Sequence, residues 1–165
     1  MAVPFKAPVK DITFGYEVID SYNILNKISE FSDFSEDIVI PTMEECAKFS
    51  EEVLAPINAI GDQQGATIDN GVVKMPQEFV DAYKKFAEAG WASISLPEEI
   101  GGGGQPITLS GGTLEILSTA NLAFGLAPGL SAGAISAINF HGSQEQKDTF
   151  LPKLVSGEWL SLIHI

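Results

Sequence analysis

From Ile116 to Gln144 the chain carries no Asp, Glu, Lys or Arg, and no other stretch narrows the possible folds as much. A segment that long without charge has to be hidden, in lipid or in protein. Its apolar part, Leu122 to Ile138, falls short of the roughly 20 residues that a membrane-spanning helix needs. It is also built from small residues and holds Pro128, Ser131 and Ser136. We therefore expect a helix buried on nearly all sides by its own protein, and no membrane span. Within it, Gly125, Gly129 and Gly133 recur every fourth residue and share one face. Glycine in a helix interior costs about 1 kcal/mol relative to alanine, so such a face needs a reason. Close packing of another helix is one reading, and a groove for an elongated ligand is the other.

Elsewhere the apolar residues keep helical time. Val18, Tyr22, Leu25 and Ile28 predict a first helix within Glu17 to Phe31, preceded over residues 1 to 16 by an extended arm with Pro4, Pro8 and alternating Val9, Ile12 and Phe14. Val39, Met43, Cys46, Phe49, Val53, Ile57 and Ile60 predict a long helix, with Pro41 in its first turn and Pro56 ending or bending it. Its glutamates, such as Glu44/Glu45 and Glu51/Glu52, point in different directions and read as a solvated face rather than an acid/base pair. Asp69-Asn70-Gly71 is turn chemistry, with Val72 to Lys74 as a brief extended piece. Pro76 opens a helix whose stripe is Phe79, Tyr83 and Phe86 and whose stop is Gly90. Gly101 to Gly104 are followed by Gln105-Pro106 instead of the Lys-Ser or Lys-Thr of a phosphate loop, so we expect a flexible connection there. Ser143 and Gln146 form a capping box, and Pro152 is expected to interrupt the helix they open.

The net charge of −13 comes without a single arginine, which argues against a nucleic-acid partner. Cys46 is the one cysteine, so no internal disulfide or multi-cysteine metal site is available. Its apolar helical position suggests packing rather than reactivity. His141 has no serine, cysteine or ligand partner nearby in sequence and is expected to act locally, and His164 is given no role. The N-terminus lacks a signal-peptide core, so a cytoplasmic location is expected.

Three segments, taken in order, carry a family resemblance. They are Glu51-Glu52-Val53-Leu54-Ala55-Pro56, then Gly90-Trp91 ahead of Leu96-Pro97-Glu98-Glu99-Ile100-Gly101-Gly102, then the block from His141 to Trp159. Together they resemble the N-terminal helical domain of the acyl-CoA dehydrogenases across about residues 36 to 159. Phe5 to Phe14 looks like the additional arm of one branch of that family, which includes the 3-methylmercaptopropionyl-CoA dehydrogenases. The resemblance implies an all-α fold: a bundle of about six helices with an extended N-terminal arm. It divides the chain into an arm and first helix (1–35), the helical domain (36–159) and a tail (160–165) that departs from the family and reads as a truncation or junction.

The resemblance also implies an FAD-dependent enzyme that oxidises an acyl-CoA thioester to the trans-2-enoyl-CoA, passes electrons to an acceptor and forms a homo-oligomer. This segment would then be inactive alone, with no catalytic, FAD-binding or metal-binding residue of its own. By analogy with the family's acyl pocket, Gly125, Gly129, Leu130 and Gly133 are the candidate substrate contacts. The competing expectation is a self-standing acidic helical interaction module without catalysis.

Overall fold

The computed structural model describes residues 4–161. Among the described residues the regular structure is helical apart from one hairpin. Eight α-helices follow in order: α1 (Val9–Val18), α2 (Ser21–Leu25), α3 (Glu36–Phe49), α4 (Ala55–Gln64), α5 (Gln77–Glu88), α6 (Ile107–Ala120), α7 (Leu122–His141) and α8 (Gln144–Val155). The antiparallel hairpin joins β1 (Thr67–Asp69) to β2 (Val72–Lys74) across Asn70-Gly71, both at positive φ as a tight two-residue turn requires.

The N-terminal arm is extended only to its second proline. Helix α1 begins directly after Pro8 because Val9, Ile12 and Tyr16 fall at spacings of three and four. Tyr16 is buried, and its hydroxyl donates to the Thr108 carbonyl of α6. The single helix predicted over Glu17 to Phe31 is also divided. Asp20 adopts a left-handed conformation (φ 56°, ψ 35°) between α1 and α2, one that Asp tolerates better than most residues.

Prolines end fewer helices here than expected. Pro41 is the sixth residue of α3, well inside it, and Pro152 lies within α8, which continues through Leu154 and Val155. Those two residues are buried, and their burial holds the last turn in place. Pro56 does not end its helix either. A π-helical turn, Ser50–Leu54, precedes it, and the Ala55 amide bonds the Ser50 carbonyl five residues back. The wider turn passes the proline into α4, which carries it in its first turn.

The glycine run is packed, contrary to the expectation of a flexible connection. The amides of Gly102, Gly103, Gly104 and Gln105 donate to the carbonyls of Pro97, Ser93, Leu96 and Ile94. A β-carbon on Gly102 would lie 2.1 Å from the Leu96 oxygen, so only glycine lets the two backbones meet.

Two cores result. The larger gathers Val39, Met43, Cys46, Leu54, Leu109 and Ile116 with the aromatic stripe of α5. The smaller joins Ile135 of α7 to Leu151, Leu154 and Val155 of α8. Helix α7 takes part in both, through Phe124 and Ile135.

Candidate functional site

Helix α7 is held by its ends and one narrow face. Asn121 caps it: the side-chain oxygen accepts from the Phe124 amide (3.1 Å), and the side-chain nitrogen donates to the Leu54 carbonyl of the π-helical turn (3.2 Å). Asn121 is fully buried, so both bonds are made away from water, where losing either is costly. Phe124 sits in an aromatic group with Phe79, Tyr83 and Phe86, edge-on to Phe86 at 5.5 Å between ring centres. Further along, Ser131 is buried and its hydroxyl accepts from the Ser161 amide (2.9 Å). This draws the segment after α8 back onto α7. The capping box at Ser143 and Gln146 then starts α8 as the sequence predicted.

The rest of α7 is open, and here the structure overturns the expectation of a helix buried on nearly all sides. Leu122 and Leu126 are each 60% exposed and Leu130 46%, in a row at four-residue spacing. By length and composition alone α7, at 20 residues, could cross a membrane. Its buried, hydrogen-bonded Asn121 and Ser131 and its packing along α6 and α8 instead describe a helix docked in a protein, with one apolar side uncovered by the described residues.

The four candidate contacts divide between two surfaces. Gly125 is buried, and a β-carbon there would stand 3.2 Å from the Ser118 hydroxyl of α6, so this glycine serves helix packing. At Gly129 and Gly133 a β-carbon would meet nothing within 4 Å. Close packing therefore explains the first glycine of the stripe and not the other two. Leu130 and Gly133 belong to the exposed side of the helix. Gly125 and Gly129 also edge a cavity of about 140 Å³ between α6 and α7, whose other walls include Trp91, Ala92, Leu114 and Leu117. The sequence reading missed those walls and Leu126. Leu114 and Leu117 do carry the helical spacing that could have flagged them.

A larger apolar cavity, about 710 Å³, lies where Phe79, Tyr83, Ala127 and Leu160 meet. Leu160 and Ser161, the first two residues of the predicted tail, thus have places in the structure, while residues 162–165, His164 among them, lie outside the described residues.

The described residues offer little acid/base or redox chemistry. No group of three or more His, Cys, Asp or Glu among them could hold a metal. Burial pushes the Cys46 thiol up to about 12, so it stays protonated, with its sulfur 3.6 Å from the Thr113 carbonyl to which it donates. The carboxylate of Glu51, held below the usual range by hydrogen bonds from the Lys6 ammonium and the Ala7 amide, fastens the N-terminal segment. The glycine-run amides are all bonded to carbonyls and cannot cradle a phosphate.

Residues 41–158 match the sequence pattern of the acyl-CoA dehydrogenase N-terminal domain. The chain is 36% identical over 161 residues to the 3-methylmercaptopropionyl-CoA dehydrogenase of Ruegeria pomeroyi, covering 98% of this chain and 27% of that one. It is 29% identical over 155 residues to the butyryl-CoA dehydrogenase of Syntrophomonas wolfei, covering 92% and 25%. With the mitochondrial isovaleryl-CoA dehydrogenase of Bos taurus the identity is 32% over 119 residues, covering 71% and 26%. The chain thus spans roughly a quarter of the length of these curated relatives, at 27%, 25% and 26%.

Proposed function

The chain belongs to the acyl-CoA dehydrogenase family, and from that premise we propose that it forms the N-terminal helical part of an FAD-dependent enzyme that oxidises an acyl-CoA thioester to the trans-2-enoyl-CoA. Its own contribution is one wall of the acyl pocket. The observation that carries this reading is the open side of α7. There Leu122, Leu126 and Leu130 stand exposed beside Gly129 and Gly133, where side chains would fit and are missing. An acyl chain laid along that side gains the leucines as apolar contacts and the glycines as room to approach the backbone. Water leaves both surfaces, and the chain's direction is fixed by a rigid helix capped at Asn121.

The described residues do not fit the flavin. The glycine-run amides are spent and no arginine is present, so FAD, the catalytic base and the electron acceptor's docking site are assigned to parts of the enzyme beyond this segment. The segment alone is then inactive, and the enzyme acts as a homo-oligomer.

A visible spectrum and a dye-reduction assay test the proposal. The full-length protein carrying this chain should show flavin bands and reduce an artificial acceptor with some member of a broad acyl-CoA panel. The 165-residue chain purified alone should be colourless. A flavin-loaded protein that turns over no thioester on the panel overturns the dehydrogenase assignment. Stoichiometric flavin on the short chain overturns the division of labour.

A further inference from the structure

The hairpin is the least covered part of the fold. All the residues of β1 and β2 are exposed, and Ile68 and Val73, which face each other across the strands, are 76% and 63% exposed. Val72, on the opposite face, is 61% exposed. A two-stranded hairpin is marginal in water unless a further strand or a helix covers an apolar face, so aliphatic side chains this open call for a cover. The register shows where one fits. Asp69 and Val72 flank a two-residue turn and exchange both backbone bonds, so the next pair, Ile68 and Val73, turns its N–H and C=O groups outward. Neither residue makes a backbone hydrogen bond to a described residue outside the hairpin. Each edge therefore offers a donor and an acceptor from one apolar residue.

Charge selects the occupant and the edge. The chain carries −13, yet the hairpin is neutral, with the Lys74 ammonium paired to Asp69. Two copies repel over most of their surfaces and can meet here without that cost. A twofold pairing of β1 edges, centred on Ile68, would set two Asp69 carboxylates side by side between two acidic bodies. The same pairing of β2 edges, centred on Val73, sets two Lys74 ammoniums there instead. We propose that the β2 edge is the contact through which two copies of this chain join, a twofold antiparallel junction that turns two hairpins into one four-stranded sheet. The inference rests on the homo-oligomer part of the reading above and gives that oligomer a contact. Val73 bonds its counterpart through both backbone groups, Val72 lies opposite the aliphatic stem of the other Lys74, and Ile68 and Val73 of both copies form one apolar row. Proline and bulges, which blunt the edges of many sheets, are absent from both strands.

The test uses the full-length protein carrying Val73→Cys or Ile68→Cys, with the unsubstituted protein as the control for its own cysteines. Cys46, the one cysteine of this segment, is buried and out of reach. On mild oxidation Val73→Cys should become mostly a covalent dimer, because the central pair of the junction holds its α-carbons about 5.5 Å apart, within disulfide range. Ile68→Cys, on the outer strand of the joined sheet, should give no more dimer than the control. Both substitutions fall at exposed positions, and circular dichroism checks the helix content of each variant. In the unsubstituted protein the Val73 amide should exchange roughly tenfold or more slowly than the Ile68 amide, although both are open in a single copy. An oligomer that does not cross-link through Val73→Cys, or that cross-links through Ile68→Cys instead, overturns this junction and leaves the homo-oligomer standing. A slow Val73 amide without cross-linking means that the same chain covers its own edge, and this also overturns the junction. A full-length protein that light scattering finds monomeric overturns the homo-oligomer reading and this inference with it.

Discussion

Helices α3 and α7 present opposite solutions to the same problem. Helix α3 has a few apolar residues among many charges and buries every one that matters: Val39, Met43 and Cys46 have no exposed surface at all. Helix α7 has no Asp, Glu, Lys or Arg over its whole length yet leaves Leu122 and Leu126 60% exposed and Leu130 46%. Burial therefore follows from what the rest of the fold brings to a face. Helix α3 is enclosed by α1, α6 and the π-helical turn, whereas α7 rests on α6 and α8 along one side and has its other side uncovered by the described residues. The first helix builds the domain, and the second offers a surface.

The largest difference should appear in the two hydrophobic rows. Met43→Ala should cost about 2–5 kcal/mol in urea unfolding because it opens a cavity in a closed core. Leu126→Ala should cost less than about 0.5 kcal/mol in the 165-residue chain. Equal costs would erase the contrast. The glycines sharpen it with opposite signs. Gly102→Ala drives a β-carbon into the Leu96 carbonyl and should destabilise by about 1–3 kcal/mol, whereas Gly129→Ala should stabilise by up to about 1 kcal/mol. Both are read from the shift of the denaturant midpoint.

The hydrogen-bonded link from α7 to the π-helical turn after α3 comes next. Asn121→Ala removes the cap of α7 and leaves the Leu54 carbonyl without its donor, at a cost of about 1–2 kcal/mol. Amide exchange should speed up in the first turn of α7 and in the π-helical turn together, and acceleration in α7 alone would deny the link.

The smallest effect concerns the N-terminal segment beside α3. Because the folded-state pKa of Glu51 lies below its ordinary value, its contribution is complete above the usual carboxylate range and is lost as pH falls through the lowered value. Acidification below about pH 4 should loosen residues around Lys6 and Ala7, and Glu51→Gln should already show that loosening at neutral pH. Amide exchange at Ala7 that ignores both changes would remove Glu51 from the account.

Local chemistry was easy to read in the sequence, and cover was not. The capping box at Ser143, the stop at Gly90 and the stripe of α5 all depend on neighbours within one or two turns, and each stands as the residues suggested. Pro41 and Pro152 stand inside helices because burial of the residues around them outweighs the lost backbone bond, while at Pro56 a π-helical turn interrupts the α-helical pattern just ahead of the proline. Asp20 broke a helix that periodicity alone would have carried through. At α7 the period was right and the environment wrong, since an uncharged helix looks the same whether its neighbours close around it or stop halfway. The stripe of Gly125, Gly129 and Gly133 points to the helix that the structure leaves open on one side. Only the space beside each glycine separated the one that packs from the two that do not.

That separation is the ground for the proposal that the acyl chain lies against α7, and one labelling experiment asks whether it lies there. An acyl-CoA with a photoreactive diazirine at its acyl terminus, irradiated on the full-length enzyme and mapped by mass spectrometry, should mark the peptide Leu122–His141, with its modified residues at or beside Gly129 and Gly133. Labelling confined to peptides outside α7, competed away by unlabelled thioester, would contradict the assignment of this helix as the acyl wall.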